Sequence, residues 1–442
     1  MIDLERVRMA AAESARPHYH GLVRNVSGQL IEVSGLPAAI GELVHIDQPG
    51  GRTIPAEVVG FRADSTLVMP HGPPEGVAPR QRVLTTGRAL DVPVGLALLG
   101  RAVDGFGLPI DQLGPIRSGL RRPVHAEAPT ALGRQPIDQV LETGVRAIDA
   151  AATLGRGQRL GIFAGSGVGK STLLGQIVSG CTADAIVVCL VGERGREVGS
   201  FIDSVLGPEG RARSTVVVAT SDRPPIERYT APFTAVTVAE ELRDSGRDVL
   251  LVMDSITRFA AASREIGLAA GEPPTLRGYP PRFFSTVPRL VERMGNSDRG
   301  SITGLITVLV DGDDPNEPVA DTLRGLLDGH IFLDRDLAER GWFPAIDLLG
   351  SLSRLMPDLA SPLELDLASA LRADLAAWRE GRDLVELGAH KPGANPALDG
   401  ALERLPMIEA FLRQSRDDRT SRAESFAFLA NLYGASAAAE VQ

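Results

Sequence analysis

Cysteine is almost absent: Cys181 and Cys189 are the only two in 442 residues. Both sit in apolar surroundings without His or Cys companions at zinc spacing. That excludes a disulfide framework and a zinc site, and reduced core thiols of a cytosolic protein are expected. Aromatic residues are scarce at 4%. No apolar run reaches the length of a membrane-spanning helix. The first residues, "MIDLERVRMAAAESARP", lack the apolar core of a secretory signal. Positive charge is in deficit, with a net charge of −10, which speaks against non-specific nucleic-acid binding. Internal repeats and long low-complexity segments are missing too.

What remains is a globular chain of 46.8 kDa, large enough for two or three domains. Residues 3–15 place Leu4, Val7 and Ala11 at helical spacing, a short helix or tail over 1–18. From 19 to 88 the texture is short β-like runs, "HGLVRNV", "GQLIEVSG", "ELVHI", "AEVVGF" and "STLVMP", split by turn residues. This predicts a small sandwich or barrel. Residues 89–355 hold a Gly/Pro-rich crossing region and then alternating strand and helix. The runs "RLGIFA", "AIVVCLV", "STVVVAT", "DVLLVMD" and "SITGLITVLV" suit a parallel sheet buried on both faces. Val198, Phe201, Ile202, Val205 and Leu206 mark a helix between two of them. The predicted core is a doubly wound α/β domain. Over 356–442 the strands stop. Leu363, Leu367, Leu371 and Leu375 form one helical stripe, and further helices fit 398–414 and 423–432.

One stretch carries the chemistry: "GIFAGSGVGKSTLLGQI", Gly161 to Ile177. A strand, a glycine-rich turn and Lys170-Ser171 opening a helix form a phosphate-binding loop. The glycines Gly165, Gly167 and Gly169 let successive N–H groups face the phosphates, with Ser166, Val168 and Thr172 completing the cradle. Lys170 is expected at the β- and γ-phosphates and Ser171 on Mg²⁺. Ala164 stands where the strict pattern has its first glycine. Asp254 ends the run "VLLVMD", where a carboxylate holds Mg²⁺ through water; capping the next helix is its structural alternative. Glu193 follows the run "AIVVCLV" and is the candidate base for the attacking water. Glu197 is its rival, one turn into the next helix.

Several further motifs, "GERGREV", "DSITRFA", "PPTLRGYPP", "GSITGLITVLVDGDDPNEPVAD", "LDGHIFLDR" and "FPAIDLLGSLSRLMP", resemble the hexameric ATPases of bacterial type III export systems. These are relatives of the catalytic head subunits of rotary ATP synthases. The pattern is most similar to the flagellum-specific export ATPases. Two stretches, "DGDD" at 311–314 and "GYPPRFF" at 278–284, depart from the usual flagellar pattern and leave the virulence injectisome open as the alternative. The resemblance covers residues from about 20 onward and implies an N-terminal β-barrel, a RecA-like nucleotide domain and a C-terminal helical domain. It implies ATP and Mg²⁺ as ligands, Glu193 as catalytic carboxylate and Arg194 as a site arginine. Phe343 would stack on adenine, or else pack in a core beside Trp342. Arg354 would be an arginine finger reaching the next subunit's γ-phosphate. Arg258 is left between an ion pair and a nucleotide-sensing role. The implied assembly is a homohexamer, cytoplasmic and peripheral at an inner-membrane export gate. A regulatory subunit would meet the N-terminus and a stalk protein the C-terminal domain, with export substrates and chaperones as cargo.

Two other classes compete. A hexameric RNA translocase would carry a basic, aromatic-studded domain first, and 19–86 has no such cluster. A non-catalytic rotary subunit would lack the site glutamate, whereas Glu193 is present. A catalytic one would carry an acidic lever motif, which "LELDLASALRADLAAWRE" is not.

Overall fold

The computed structural model describes residues 19–310 and 317–434. The expected helix over 3–15 and the "DGDDPN" stretch at 311–316 lie outside the described residues.

Six strands open the chain: β1 (His20–Ser27), β2 (Leu30–Ser34), β3 (Glu42–Asp47), β4 (Thr53–Arg62), β5 (Ser65–Pro70) and β6 (Arg82–Ala89). They close into an antiparallel barrel in the order β1-β2-β5-β4-β3-β6. Alternate side chains such as Val23, Ile31, Val44, Ile46, Val58 and Val83 fill the interior, as a period of two dictates. The sequence reading named five of these strands. The sixth, "RVLTTGRA", carries too few apolar residues to stand out, yet it pairs both β1 and β3 and closes the barrel.

Short strands β7 (Asp91–Pro93), β8 (Ala102–Asp104) and β9 (Arg121–Pro123) lead into the core. There the five apolar runs become β10 (Arg159–Ala164), β11 (Ala185–Val191), β12 (Ser214–Ala219), β13 (Asp248–Asp254) and, after a two-residue β14 (Gly295–Asn296), β15 (Ser301–Leu309). Two more, β16 (Gly329–Leu333) and β17 (Ile346–Ser353), extend one edge. The sheet order is β17-β16-β10-β15-β13-β11-β12-β8, with β14 beside β15. β8, β10–β13, β15 and β16 run parallel and only β14 and β17 run against them. Helices 170–180, 225–244 and 256–270 cover its faces. The stripe at Val198–Leu206 is not one regular helix. An α-turn over Gly195–Ser200 widens to a π-turn over Phe201–Leu206 before another α-turn at Gly207–Ala212. The wider winding still buries Val198, Phe201 and Leu206.

The C-terminal helices are Pro362–Glu386, Pro396–Leu412 and Arg422–Tyr433. Ser361 with Glu364, and Ser421 with Glu424, form reciprocal caps at the first and third. Leu367, Leu371, Ile408, Phe411, Phe426 and Leu429 pack into the same core cluster as Leu173, Leu174 and Ile177 of the phosphate-loop helix. Gln414 ties the layers further, donating to the Gly144 carbonyl at 2.7 Å. The helices are therefore continuous with the core beneath the phosphate loop.

Candidate active site

The phosphate loop leaves the C-terminal end of β10 and enters the helix Lys170–Gly180. Gly169 caps that helix at φ 94 in the left-handed region, where a β-carbon is strained. Ala164 is the last residue of β10, buried, with its carbonyl accepting from Val310 N at 3.1 Å. It has strand geometry, so the missing first glycine alters nothing in the turn.

Two carboxylates come to this loop from neighbouring strand ends. Asp254 ends β13 and is 3% exposed. Its Oδ1 accepts from Thr307 Oγ1 at 2.7 Å and from the Lys170 ammonium. It does not cap the next helix, because Ser255 occupies the N-cap position. Glu193 lies two residues beyond β11, with Oε1 4.0 Å from Lys170 Nζ. One ammonium thus faces two acids. Burial, and then the charge of Asp254, push the Glu193 carboxyl up to about 7, against the pull of Lys170. The Glu197 carboxyl is held below the ordinary range, first by its hydrogen bond with Glu193.

These groups bound a cleft of about 540 Å³, lined by the loop, Ser171, Thr172, Glu193, Arg194 and Arg258 among others. Arg194 has a side chain 71% exposed and stands 3.8 Å from Glu197 Oε1. Phe343 is 42% exposed, and a β-carbon on Gly169 would sit 3.2 Å from its ring. Its neighbour Trp342 is 8% exposed under the Arg413 guanidinium. Of the two, Trp342 is the core residue, and Phe343 presents an open ring beside the loop. Arg354 is not brought to this cleft. It follows β17, and its N–H donates to Asp328 O at 3.0 Å, level with the first residue of β10. The phosphate loop lies at the other end of β10, roughly 20 Å away at strand rise.

Three family models cover this chain. Residues 23–87 match the beta-barrel domain of the ATP synthase alpha/beta family, and 144–353 match its nucleotide-binding domain. Residues 360–431 match the T3SS EscN ATPase C-terminal domain. The flagellum-specific ATP synthase of Bacillus subtilis is 48% identical, over 94% of this chain and 95% of that protein. The SPI-2 type 3 secretion system ATPase of Salmonella typhimurium is 49% identical, over 90% and 91%. The assembled ATPase EscN of enteropathogenic E. coli superposes with a TM-score of 0.89 at 42% identity, covering 93% of this chain and 99% of that one. The chain belongs to the type III export ATPases of the ATP synthase alpha/beta family.

In this export ATPase the residues fit a magnesium nucleotide. Among the described residues no group of three or more His, Cys, Asp or Glu could hold a metal by itself. One buried carboxylate and one hydroxyl, Asp254 and Ser171, suit an ion that arrives mostly coordinated by phosphate and water. Lys170 is one of two lysines in the sequence, Lys391 being the other. Arg258, left open between two roles, has no carboxylate partner among the described residues and lines the cleft. Its side-chain stem lies where a β-carbon of Gly192, at φ 69, would come within 2.8 Å. Thr307 and Ser221 were missed altogether. Thr307 hides inside an apolar run, and only the strand register β13–β15 aims it at Asp254.

Proposed function

We propose that this chain is the ATP-hydrolysing ring motor of a flagellar type III export apparatus. The observation that carries the proposal is a cleft with every group for hydrolysis except a trans arginine, while Arg354 waits on the far edge of the sheet. Gly165, Ser166, Gly167, Val168 and Gly169 supply backbone donors to the phosphates of ATP, and Lys170 bridges β- and γ-phosphate. Ser171 and Asp254 would hold Mg²⁺, which would neutralise developing phosphate charge, and Thr172 completes the phosphate cradle. Glu193, deprotonated, takes a proton from the attacking water as its oxygen bonds to the γ-phosphorus. The bond to the bridging oxygen breaks, releasing ADP and phosphate. Arg194 and Arg258 flank the exit, and Phe343 offers a face for adenine.

Because Arg354 is about one strand length from its own loop, it acts on a neighbour, which favours a closed head-to-tail homohexamer. The assembled EscN structure, and EscN with its central stalk EscO at TM-score 0.86, support a ring with a stalk at its axis. The remaining partners are a regulatory subunit at the N-terminus, chaperones and export substrates; nucleic acid is not among them. No helix among the described residues is long and apolar enough to cross a membrane, in keeping with a cytoplasmic protein docked peripherally at the export gate. Flagellum-specific relatives covering 94% and 97% of the chain support the flagellar reading. The SPI-2 relative at 49% identity supports the injectisome as second reading. Deleting the gene should abolish motility and flagellar rod and hook export. A motile deletion strain that fails to secrete virulence proteins would transfer the protein to an injectisome.

A further inference from the structure

Phe343 stands beside the phosphate loop in an irregular segment between the short helix Arg335–Glu339 and β17. Its main chain is held from outside that segment. The Phe343 carbonyl accepts from Gln414 N at 2.9 Å, and Gln414 lies just past the helix Pro396–Leu412. A residue of the C-terminal helical domain therefore touches the backbone of the aromatic ring that faces the nucleotide cleft.

Gln414 is itself locked in place. It is buried, and its amide uses both donors and the oxygen. Oε1 accepts from Arg146 N at 3.0 Å, and Nε2 donates to the carbonyls of Gly144 at 2.7 Å and Asp418 at 3.0 Å. Gly144 is fixed in turn, because the buried Asp149 carboxylate accepts from Thr143 N and Gly144 N at 2.9 Å each. Arg146 returns to the same segment, donating to Arg413 O at 2.7 Å and pairing with Asp418 at 3.3 Å. From the other side Gln176, buried on the helix Lys170–Gly180, donates through Nε2 to Ser415 O at 2.9 Å. Any apolar side chain at 414 would leave Arg146 N and two carbonyls without these partners.

We propose that Gln414 is a positioning residue for the adenine end of the site. Its side chain holds residues 413–415 against Gly144 and Arg146, and its backbone N–H then fixes Phe343 beside Gly169. The proposal rests on the reading of Phe343 as the adenine platform. The phosphate end is built separately, from Lys170, Ser171 and Asp254, so this strap bears on binding of the base and not on the chemical step. It also makes affinity for the base a property of the helix Pro396–Leu412. A displacement of that helix reaches Phe343 through one residue, without passing through the sheet.

In the full-length protein, Gln414→Ala should raise KM for ATP about fivefold and leave kcat within about twofold of wild type. The inhibition constant of inorganic tripolyphosphate, which has no base, should stay the same. In a Phe343→Ala background, adding Gln414→Ala should raise KM no further, since both changes remove the same contact. Gln176→Leu removes only the tie to Ser415 and keeps the bulk of the side chain. It should raise KM in the same direction, by about twofold, and it decides the matter if Gln414→Ala folds poorly. An unchanged KM in Phe343→Ala would remove the adenine platform, and the positioning role with it. A raised KM in Phe343→Ala, but not in Gln414→Ala or Gln176→Leu, would leave the platform standing and overturn the role of Gln414. Equal weakening of ATP and tripolyphosphate in a natively folded Gln414→Ala would overturn it too, because the residue would then serve the whole cleft rather than its adenine end.

Discussion

The two edges of the central sheet differ in what they need from the rest of the molecule. At the C-terminal ends of β10, β11 and β13, Lys170, Glu193 and Asp254 are drawn together by one chain and hold one another's charge. At the opposite edge, Arg354 is exposed, and its Nη2 donates to the Arg324 carbonyl at 3.3 Å. The first edge is a finished charge cluster. The second shows no acid paired with Arg354 among the described residues. Parallel topology explains the first, since strand ends converge where the sheet order switches direction. If Arg354 serves a neighbour's cleft, as proposed, another subunit would complete the second.

The largest effect should come from breaking the finished edge. Lys170→Ala removes the single ammonium facing two acids, and ATPase activity should fall to background while the circular dichroism spectrum stays native. Retention of a tenth of wild-type turnover would mean that another loop is the active one. At the other edge, Arg354→Ala should bind ATP and lose on the order of 10³-fold in turnover. Mixed with Lys170→Ala it should regain activity, because some intact loops then face intact arginines. A mixture that stays inactive in demonstrated mixed oligomers would show that the two edges do not meet.

Glu193→Gln keeps shape and should keep affinity for an ATP analogue, with turnover down about 10²-fold or more. Wild-type turnover in this variant would hand the base role to Glu197. The raised Glu193 carboxyl sets a pH dependence. The base works ionised, so kcat/KM should be full above about 7 and fall as pH drops through it, approaching tenfold per unit. A flat profile from pH 8 to about 5.5 would remove Glu193 from the titrating step. The smallest effect is expected for Phe343→Ala: about a several-fold rise in KM for ATP from lost stacking, with kcat nearly unchanged. An unchanged KM would return Phe343 to a packing role.

The same contrast bears on what the sequence disclosed. Runs buried on both faces, such as "AIVVCLV", read plainly as strands because nearly every residue is apolar. β6, β8, β16 and β17 did not, being short, half-polar or at an edge, and only pairing partners define them. The phosphate loop was legible because its glycines and Lys170 are contiguous. Asp254 and Glu193 were legible because each follows an apolar run. Thr307 was not, since its role exists only through strand register. The distance between Arg354 and its own cleft was also invisible, because it depends on β17 running against its neighbours. Arg258 could be named from the sequence, but the way Gly192 makes room for its stem shows only in the fold.

Scarcity gives Lys170 one more use. Lys391 is exposed, whereas the Lys170 side chain is 12% exposed and clasped by two acids. An amine-selective acylating reagent therefore meets two side chains with opposite accessibility in one polypeptide. Lys391 serves as the internal standard. The modification ratio at Lys170, read by mass spectrometry, becomes a direct gauge of how many cleft positions in a working ring are occupied at a given instant. No engineered label or added chromophore is required.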